Sequence, residues 1–225
     1  ADNSPAISAH GEDGRHITLS RAELANKVMA LAGWLKANNV GKGDRVAAFT
    51  PNVAEAVITM LASATLGAVY SSCSPDFGVT GAVDRFGQIE PKILMACDGY
   101  FYAGKKIDRL PIVADLVAKL PSLEAVLILP YLNDAPDCRK ISNAVLFETA
   151  LDTATPVEGF TQIGFNDPLY ILYSSGTTGA PKCIVHGAGG TLIQHIKEHR
   201  LHGNVADGDS IFYFTTCGWM MWNWL

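Results

Sequence analysis

Between residues 45 and 129, short apolar segments alternate with longer segments whose apolar residues recur at helical spacing. The short segments have the length of buried strands, and they lie at 45–50, 68–71, 92–96 and 125–129. Strands that alternate with helices are joined by crossover connections, so they pair in parallel and the helices cover the faces of the sheet. The sequence therefore predicts an α/β fold of layered, largely parallel sheets flanked by helices.

Several of the predicted helices carry recognisable end signals. Ser20 and Glu23 have the spacing of a capping box ahead of an apolar pattern, and Pro111 suits the first turn of a later helix. The predicted helices span 20–38, 51–66, 79–89, 111–120 and 191–201, and further strands are predicted at 169–173, 183–186 and 210–215.

The alternation is lost over residues 134–166, which favours a connecting stretch with weak structure. The sequence therefore predicts two packed subdomains: residues 1–165, and residues 166–225 as the start of a second, truncated one. The chain begins at Ala1 and stops inside an aromatic, apolar run at 224–225. An exposed end of that kind would be adhesive, so we expect an incomplete N-terminal domain of a longer protein.

Composition excludes several classes of function. A formal net charge of −5 provides no basic field, so we expect no nucleic-acid partner. Five cysteines are an odd number without a C-x-x-C pair, which favours reduced thiols in a cytoplasmic protein. The apolar region at 46–73 is interrupted by Pro51, Asn52 and Glu55, so no membrane span is expected. Small molecules are the expected substrates, and protein partners are not indicated.

The loop at 173–182 reads Tyr-Ser-Ser-Gly-Thr-Thr-Gly-Ala-Pro-Lys and directly follows a predicted buried strand. Its glycines let backbone N–H groups turn toward one anion, its hydroxyls add donors, and Lys182 adds a mobile positive charge. The loop is not a Walker A motif, because Pro181 precedes the lysine and Cys183 follows it. A Gly/Ser/Thr-rich hairpin turn is the alternative, but the lysine and four hydroxyls favour a phosphate site.

This ten-residue loop resembles the phosphate loop of the adenylate-forming superfamily, which includes acyl-CoA synthetases, luciferases and peptide-synthetase adenylation domains. The resemblance extends in order from 43–46 through 66–70 to the end of the chain. Four stretches resemble more narrowly the acyl-CoA synthetases that act on acetoacetate, and they lie at 72–78, 84–92, 183–190 and 214–223.

The resemblance implies a ligase that uses ATP, Mg²⁺ and coenzyme A in two steps, with an acyl-adenylate between them. It assigns the catalytic roles to Lys182 and Thr177, and it makes Thr177 the hydroxyl nearest to the metal. The ATP-binding residues that it implies are Ser174, Ser175, Gly176, Thr177, Thr178, Gly179 and Lys182. Later motifs of the superfamily, including its ribose-binding aspartate and its C-terminal lysine, are absent from this chain.

Two further sites follow from the resemblance. Trp219, Met220 and Met221 match the segment that borders the acyl group, and such large side chains leave room for a short acyl chain. The alternative is the start of a core helix. Lys105, beside Lys106, matches the position of a basic residue that faces the 3′-phosphate of CoA; a solvated surface lysine is the alternative.

Three other interpretations compete with a ligase for acetoacetate. One is a synthetase for another short acyl chain, and another is a nucleotide-binding fragment without activity of its own. The third is a zinc peptidase, because residues 195–199 match H-x-x-E-H, a weak pattern that lacks an evident third ligand. His186 is interpreted as structural, and Cys183 and Cys217 as packed thiols rather than nucleophiles, since neither has a paired base.

Overall fold

The computed structural model of the chain describes residues 2–174, 179 and 181–224. Its strands are β1 (Pro5–His10), β2 (His16–Ser20), β3 (Arg45–Phe49), β4 (Val69–Cys73), β5 (Ile93–Cys97), β6 (Gly99–Tyr102), β7 (Lys105–Asp108), β8 (Ala125–Leu129), β9 (Ala144–Leu146), β10 (Pro168–Tyr173) and β11 (Cys183–Gly187). Its α-helices are α1 (Arg21–Ala37), α2 (Ala54–Thr65), α3 (Val79–Ile89), α4 (Leu110–Ala118), α5 (Phe147–Thr153) and α6 (Ala188–Lys197). A π-helical turn follows at Glu198–His202, and a 3-10 helix spans Met220–Trp224.

A seven-stranded sheet in the order β11-β10-β4-β3-β5-β8-β9 organises the fold. Every neighbouring pair from β10 to β9 is parallel, and β10–β11 is antiparallel. This arrangement confirms the predicted α/β fold with a largely parallel sheet. Two small antiparallel hairpins, β1–β2 and β6–β7, were not predicted. Among the described residues, no helix is both long and apolar enough to cross a membrane.

Strand β3 lies between β4 and β5, so the chain leaves it in one direction and later returns to its other side. Ligands of such doubly wound sheets bind outside the carboxyl ends of the strands, near the point where the strand order reverses. The segments after β3, β4, β5 and β10 begin at this edge with Thr50, Ser74, Asp98 and Ser174. The fold therefore places the predicted phosphate loop at the edge where a ligand is expected.

The core consists of two layers, one on each face of the sheet. Alternate residues of β3 point to opposite layers: Val46 and Ala48 belong to one, and Ala47 and Phe49 to the other. Helices α1, α2 and α5 cover the first face, and α3 and α4 cover the second. Both faces of the sheet are thus buried under helices. This explains why the strands are continuous apolar runs rather than alternating apolar and polar residues.

Apart from the two hairpins, local sequence signals predict most elements correctly, and two further segments differ from the prediction. The stretch predicted to be a connection with weak structure contains β9 at the sheet edge and α5, whose Phe147 is fully buried. The strand predicted at 210–215 does not form, and Phe212 and Phe214 are 84% and 90% exposed. A strand needs a neighbour for its backbone groups, and no described strand lies beside this segment.

The predicted division at residue 165 stays a prediction. Strand β10 pairs in parallel with β4, and Tyr170 lies opposite Tyr70. Lys42 Nζ also lies 2.7 Å from Asp167 Oδ2 across the same boundary. The sheet is therefore continuous where the sequence predicts the second subdomain to begin.

Gly33 gives a stability prediction, because the segment after α5 crosses α1 at this residue. A Cβ at position 33 would lie 2.0 Å from the carbonyl oxygen of Thr155. Gly33→Ala is therefore expected to lower the free energy of unfolding in urea by about 1–3 kcal/mol, because backbone must move to make room. The matched control is Gly87→Ala in α3, whose Cβ would meet only Val83 Cγ1 at 3.9 Å. That control should gain about 0.5–1 kcal/mol from helix propensity, and equal effects of the two changes would contradict the prediction.

Candidate functional site

The predicted phosphate loop lies between the paired ends of β10 and β11. Tyr173 is opposite Cys183 in the antiparallel register, and the pairing continues by one step beyond it. Ser174 N donates to Lys182 O at 3.0 Å, and Lys182 N lies 3.4 Å from Ser174 Oγ. The two legs of the loop are thus held together at its neck, and the side chain of Lys182 is exposed to solvent.

Several predicted ATP ligands fall outside the described residues. They are Ser175, Gly176, Thr177 and Thr178, so the roles assigned to them, including the metal contact of Thr177, stay predictions. Ser174, Gly179 and Lys182 are described, and they lie at the two ends of the loop.

The base of the loop is buried against β4. Ser71 Oγ donates to the carbonyl oxygen of Ile171 at 2.8 Å and lies 3.0 Å from the hydroxyl of Tyr173. Burial raises the pKa of the Tyr173 phenol, so this residue is neutral and structural at physiological pH. The strand that ends in the phosphate loop is therefore anchored before the loop begins.

Arg85 of α3 adds a cation beside this base, and sequence reasoning did not single it out. Its guanidinium lies 4.2 Å from the ring centre of Phe77 and 5.8 Å from that of Tyr173. Arg85 Nη1 also donates to the carbonyl oxygen of Gly81, one turn earlier in α3, at 2.7 Å. The guanidinium is therefore stacked and tethered within reach of the loop base, where positive charge favours an anion.

The predicted acyl segment is anchored over the carboxyl ends of β3 and β4. Ser72 Oγ donates to Cys217 O at 2.6 Å, and Trp222 Nε1 donates to Asn52 Oδ1 at 2.8 Å. The indole of Trp222 stacks on Tyr70 with ring centres 6.1 Å apart. Ser72, Asn52 and Tyr70 therefore fix this segment. Sequence reasoning did not assign them this role.

The three predicted acyl residues lie at the start of the 3-10 helix. Trp219 is 68% exposed and Met220 is 47% exposed, whereas Met221 is half-buried. These side chains directly follow Gly218, which lies against Ser74 after the carboxyl end of β4. Their role toward an acyl group stays a prediction.

Phe77 lies between the acyl segment and the phosphate loop. A Cβ on Gly218 would lie 3.7 Å from Phe77 Cε2 and 3.0 Å from Ser74 N. The ring of Phe77 also stacks with the guanidinium of Arg85, and this guanidinium approaches the ring of Tyr173 at the base of the loop. The described parts of the two candidate regions are therefore neighbours at this edge of the sheet.

Lys105, the predicted CoA ligand, is the first residue of β7. It lies opposite Tyr102 in the β6–β7 hairpin, and its side chain is exposed. Lys106 is also exposed, with its Nζ 5.7 Å from the ring centre of Phe101. The hairpin follows β5 directly, so it starts at the edge of the sheet where a ligand is expected. This position is compatible with an anionic ligand, and the CoA assignment stays a prediction.

A profile of the AMP-binding enzyme family matches residues 1–224. The chain belongs to the AMP-binding enzyme family. It is 49% identical over 228 residues to the acetoacetyl-coenzyme A synthetase of Rhizobium meliloti, covering 98% of this chain and 34% of that protein. It is 40% identical over 235 residues to the malonamoyl-CoA synthetase of Penicillium aethiopicum, covering 100% of this chain and 32% of that protein.

The fold of this AMP-binding enzyme also matches a solved structure. The acetoacetyl-CoA synthetase from Streptomyces lividans superposes with a TM-score of 0.92 at 43% sequence identity. The match covers 99% of this chain and 34% of that structure. The chain therefore spans about a third of the length of the relatives it matches.

The zinc-peptidase interpretation has no support in this AMP-binding chain. His195 and His199 share a helical face with ring centres 6.0 Å apart, but their ring nitrogens have other neighbours. His195 Nε2 lies 3.4 Å from the Tyr170 hydroxyl, and His199 Nε2 lies 2.9 Å from Trp224 O. Within the described part of the chain, no group of three or more His, Cys, Asp or Glu side chains is arranged to hold a metal ion.

His186 is half-buried against Tyr170, with ring centres 5.1 Å apart. Burial lowers the pKa of His186, and burial together with neighbouring histidines lowers that of His195. Both rings therefore favour the neutral form at physiological pH, which fits the structural role predicted for His186.

The five thiols should differ sharply in reactivity. Burial raises the pKa of Cys73 and of Cys97 to about 12, and it also raises the pKa of the fully buried Cys217. Because only the thiolate is nucleophilic, these three should react with a thiol reagent at pH 8 only after unfolding. Cys138 and Cys183 are partly accessible and should react in the native protein.

Counting modified thiols against time, before and after denaturation, tests this prediction. The variants Cys138→Ser and Cys183→Ser should each remove one fast-reacting group. Rapid modification of Cys217 in the native protein would contradict both the burial and its interpretation as a packed thiol.

Proposed function

We propose that this chain is the ATP-handling portion of an acetoacetate–CoA ligase. The reaction converts ATP, acetoacetate and CoA to acetoacetyl-CoA, AMP and pyrophosphate through an acyl-adenylate. The observation that carries the proposal is the adjacency of the phosphate loop and the acyl segment, which Phe77 joins at one edge of the sheet. The whole-chain similarity to acetoacetyl-CoA synthetases, at 43–49% identity in Rhizobium meliloti and Streptomyces lividans, supports the substrate.

In the first step, a carboxylate oxygen of the acid bonds to the α-phosphorus of ATP. The bond between that phosphorus and its bridging oxygen breaks, and pyrophosphate leaves with the electron pair. Negative charge grows on the leaving group, so preorganised donors at the loop lower the barrier most. We assign this role to the backbone and hydroxyls between Ser174 and Lys182 and to the ammonium of Lys182, with Arg85 adding positive potential at the base.

In the second step, the thiol of CoA loses its proton to solvent and its sulfur bonds to the acyl carbon. The bond between that carbon and the phosphate oxygen breaks, and AMP leaves with the electron pair. The acyl group would lie against Trp219, Met220 and Met221, next to Gly218. Lys105, on its exposed hairpin, would contact the 3′-phosphate of CoA as a point charge.

Mg²⁺ belongs to the proposal as the partner of the nucleotide. This ion usually keeps several waters and binds through substrate phosphates and one or two protein ligands. Thr177 is the protein ligand proposed here. When bound, the ion would neutralise charge on the phosphates, which supplements the ammonium of Lys182.

Two alternatives are kept. A synthetase for another short acyl chain is favoured by the 40% identity to a malonamoyl-CoA synthetase, whose named acyl group differs from acetoacetyl. A nucleotide-binding fragment without activity of its own is favoured by the span of the chain, about a third of its relatives. We also propose a cytoplasmic location, because all five cysteines are free thiols in the structure.

The test is carboxylate-dependent exchange of pyrophosphate into ATP, measured on this chain and on the complete protein that carries it. Acetoacetate should support faster exchange by the complete protein than acetate, butyrate, 3-hydroxybutyrate or malonamate. Exchange that is fastest with another acid would replace the substrate. If the complete, folded protein exchanges with none of these acids, the proposed function is wrong.

A further inference from the structure

Gln88 of α3 contacts the residues on both sides of Lys182. Its Nε2 donates to the carbonyl oxygen of Pro181 at 2.8 Å, and the thiol of Cys183 donates to its Oε1 at 3.6 Å. Pro181 and Cys183 are the immediate neighbours of Lys182 in the chain. One side chain, more than ninety residues earlier in sequence, therefore spans the backbone that carries the lysine.

Gln88 approaches β11 from the face of the sheet that α3 covers, and Cys183 packs against that layer of the core. Among the described strands, β11 is at the end of the sheet order, beside β10. Its inner side is held where Ser174 N donates to Lys182 O at 3.0 Å. Gln88 supplies further contacts at Pro181 and Cys183, so the chain is held at Lys182 and at both of its neighbours.

Gln88 is itself held by a rigid element. Helix α3 packs into the core through Ala82, Phe86 and Ile89, which are all buried. The amide of Gln88 also donates to the carbonyl oxygen of Asp84, one turn earlier, at 2.5 Å. Because α3 is fixed in the core, its contacts with Pro181 and Cys183 restrain the backbone of the loop at these residues.

Fixing the backbone matters because the side chain of a lysine has several rotatable bonds. The smaller the volume that its ammonium samples, the less freedom is lost when it binds a phosphate. A purely structural role for Gln88 is a weaker account, because the side chain is exposed and such a hydrogen bond adds little to stability.

We propose that Gln88 is a positioning residue that holds Lys182 in the orientation that binds the terminal phosphates of ATP. The proposal rests on the proposed function, since it requires a nucleotide phosphate at the loop. Gln88 does not contact the nucleotide in this account; it acts through Pro181 and Cys183.

The experiment is a double-mutant cycle on the affinity of the complete protein for MgATP, measured by titration calorimetry. Gln88→Met keeps the length and helix propensity of the side chain but removes both contacts. In the wild-type background it should weaken MgATP binding about fivefold or more, and in the Lys182→Ala background it should change affinity by less than about twofold. Gln88→Glu, which keeps the acceptor for Cys183 but loses the donor for Pro181, should weaken binding in the same direction.

Gln194→Met is the matched control, because among the described residues the amide of Gln194 donates to Glu198 in its own helical segment, at 2.8 Å. It should leave MgATP affinity unchanged. Urea unfolding of each variant verifies that the protein is folded during the titration, and Gln88→Ala replaces the methionine variant if that one unfolds.

The outcomes separate this proposal from the proposed function. Unchanged affinity in both Gln88 variants, or an equal loss in both backgrounds, would overturn the positioning role while leaving acetoacetate-dependent exchange intact. If Lys182→Ala binds MgATP as tightly as the wild type, Lys182 does not bind the phosphates of ATP. The positioning role proposed for Gln88 is then wrong as well.

Discussion

Lys182→Ala is expected to lower acetoacetate-dependent ATP–pyrophosphate exchange by the complete protein by about 10²- to 10³-fold. The side chain is exposed at the neck of the phosphate loop, so its loss removes a positive charge without opening a cavity in the core. The charge is most valuable when pyrophosphate leaves, because negative charge then accumulates on the departing oxygens. The loss should therefore appear in the rate at saturating MgATP as well as in the KM for MgATP.

Two comparison variants sharpen this prediction. Lys182→Arg keeps the charge but changes its geometry, so it should retain more activity than the alanine variant without reaching the wild type. Lys140→Ala removes an exposed lysine that precedes β9, the strand at the other end of the sheet order from β11, and it should leave exchange unchanged. Exchange by Lys182→Ala within tenfold of the wild type would show that the loop binds phosphate without this ammonium.

The fold was largely predictable because its signals are local. The strands β3, β4, β5 and β8 are buried on both faces, so each is a short apolar run. Helix α1, ahead of β3, begins with the capping box that the sequence predicts. The hairpins β1–β2 and β6–β7 were missed because their residues are mostly exposed and lack a continuous apolar run. Segment 210–215 is the reverse case: its apolar run predicts a strand, but it pairs with none of the described strands.

The candidate site also has one part that the sequence predicts and another part that it does not. The phosphate loop is contiguous in sequence, so its composition alone predicts its chemistry. Arg85 and Gln88 approach it only because β10 inserts beside β4, a pairing between residues about a hundred positions apart. The anchor of the acyl segment, Trp222 on Asn52, joins residues separated by 170 positions. No local pattern carries such contacts, although 84–92 drew attention through its resemblance to synthetases of one substrate.

Asp98→Ala is expected to have the largest effect on stability, because Asp98 organises the turn after β8 from within the core. The carboxylate is fully buried at the carboxyl end of β5. Its Oδ1 accepts from Tyr131 N at 2.7 Å and Leu132 N at 2.8 Å, and its Oδ2 accepts from Asn133 N at 2.9 Å and Asn133 Nδ2 at 3.1 Å. Alanine would leave three backbone donors without this acceptor, so the free energy of unfolding should fall by about 3–5 kcal/mol.

Urea unfolding followed by circular dichroism measures this loss, with Asp115→Ala as the control. Asp115 is an exposed aspartate on α4, and its replacement should change the free energy of unfolding by no more than about 0.5 kcal/mol. Asp98→Asn is the more informative variant, because it keeps the size of the side chain and one acceptor oxygen while its amide group faces a backbone donor. It should therefore lose much of the stability that alanine loses. If Asp98→Asn is as stable as the wild type, one oxygen suffices, and the turn at 131–133 is held chiefly by its own packing.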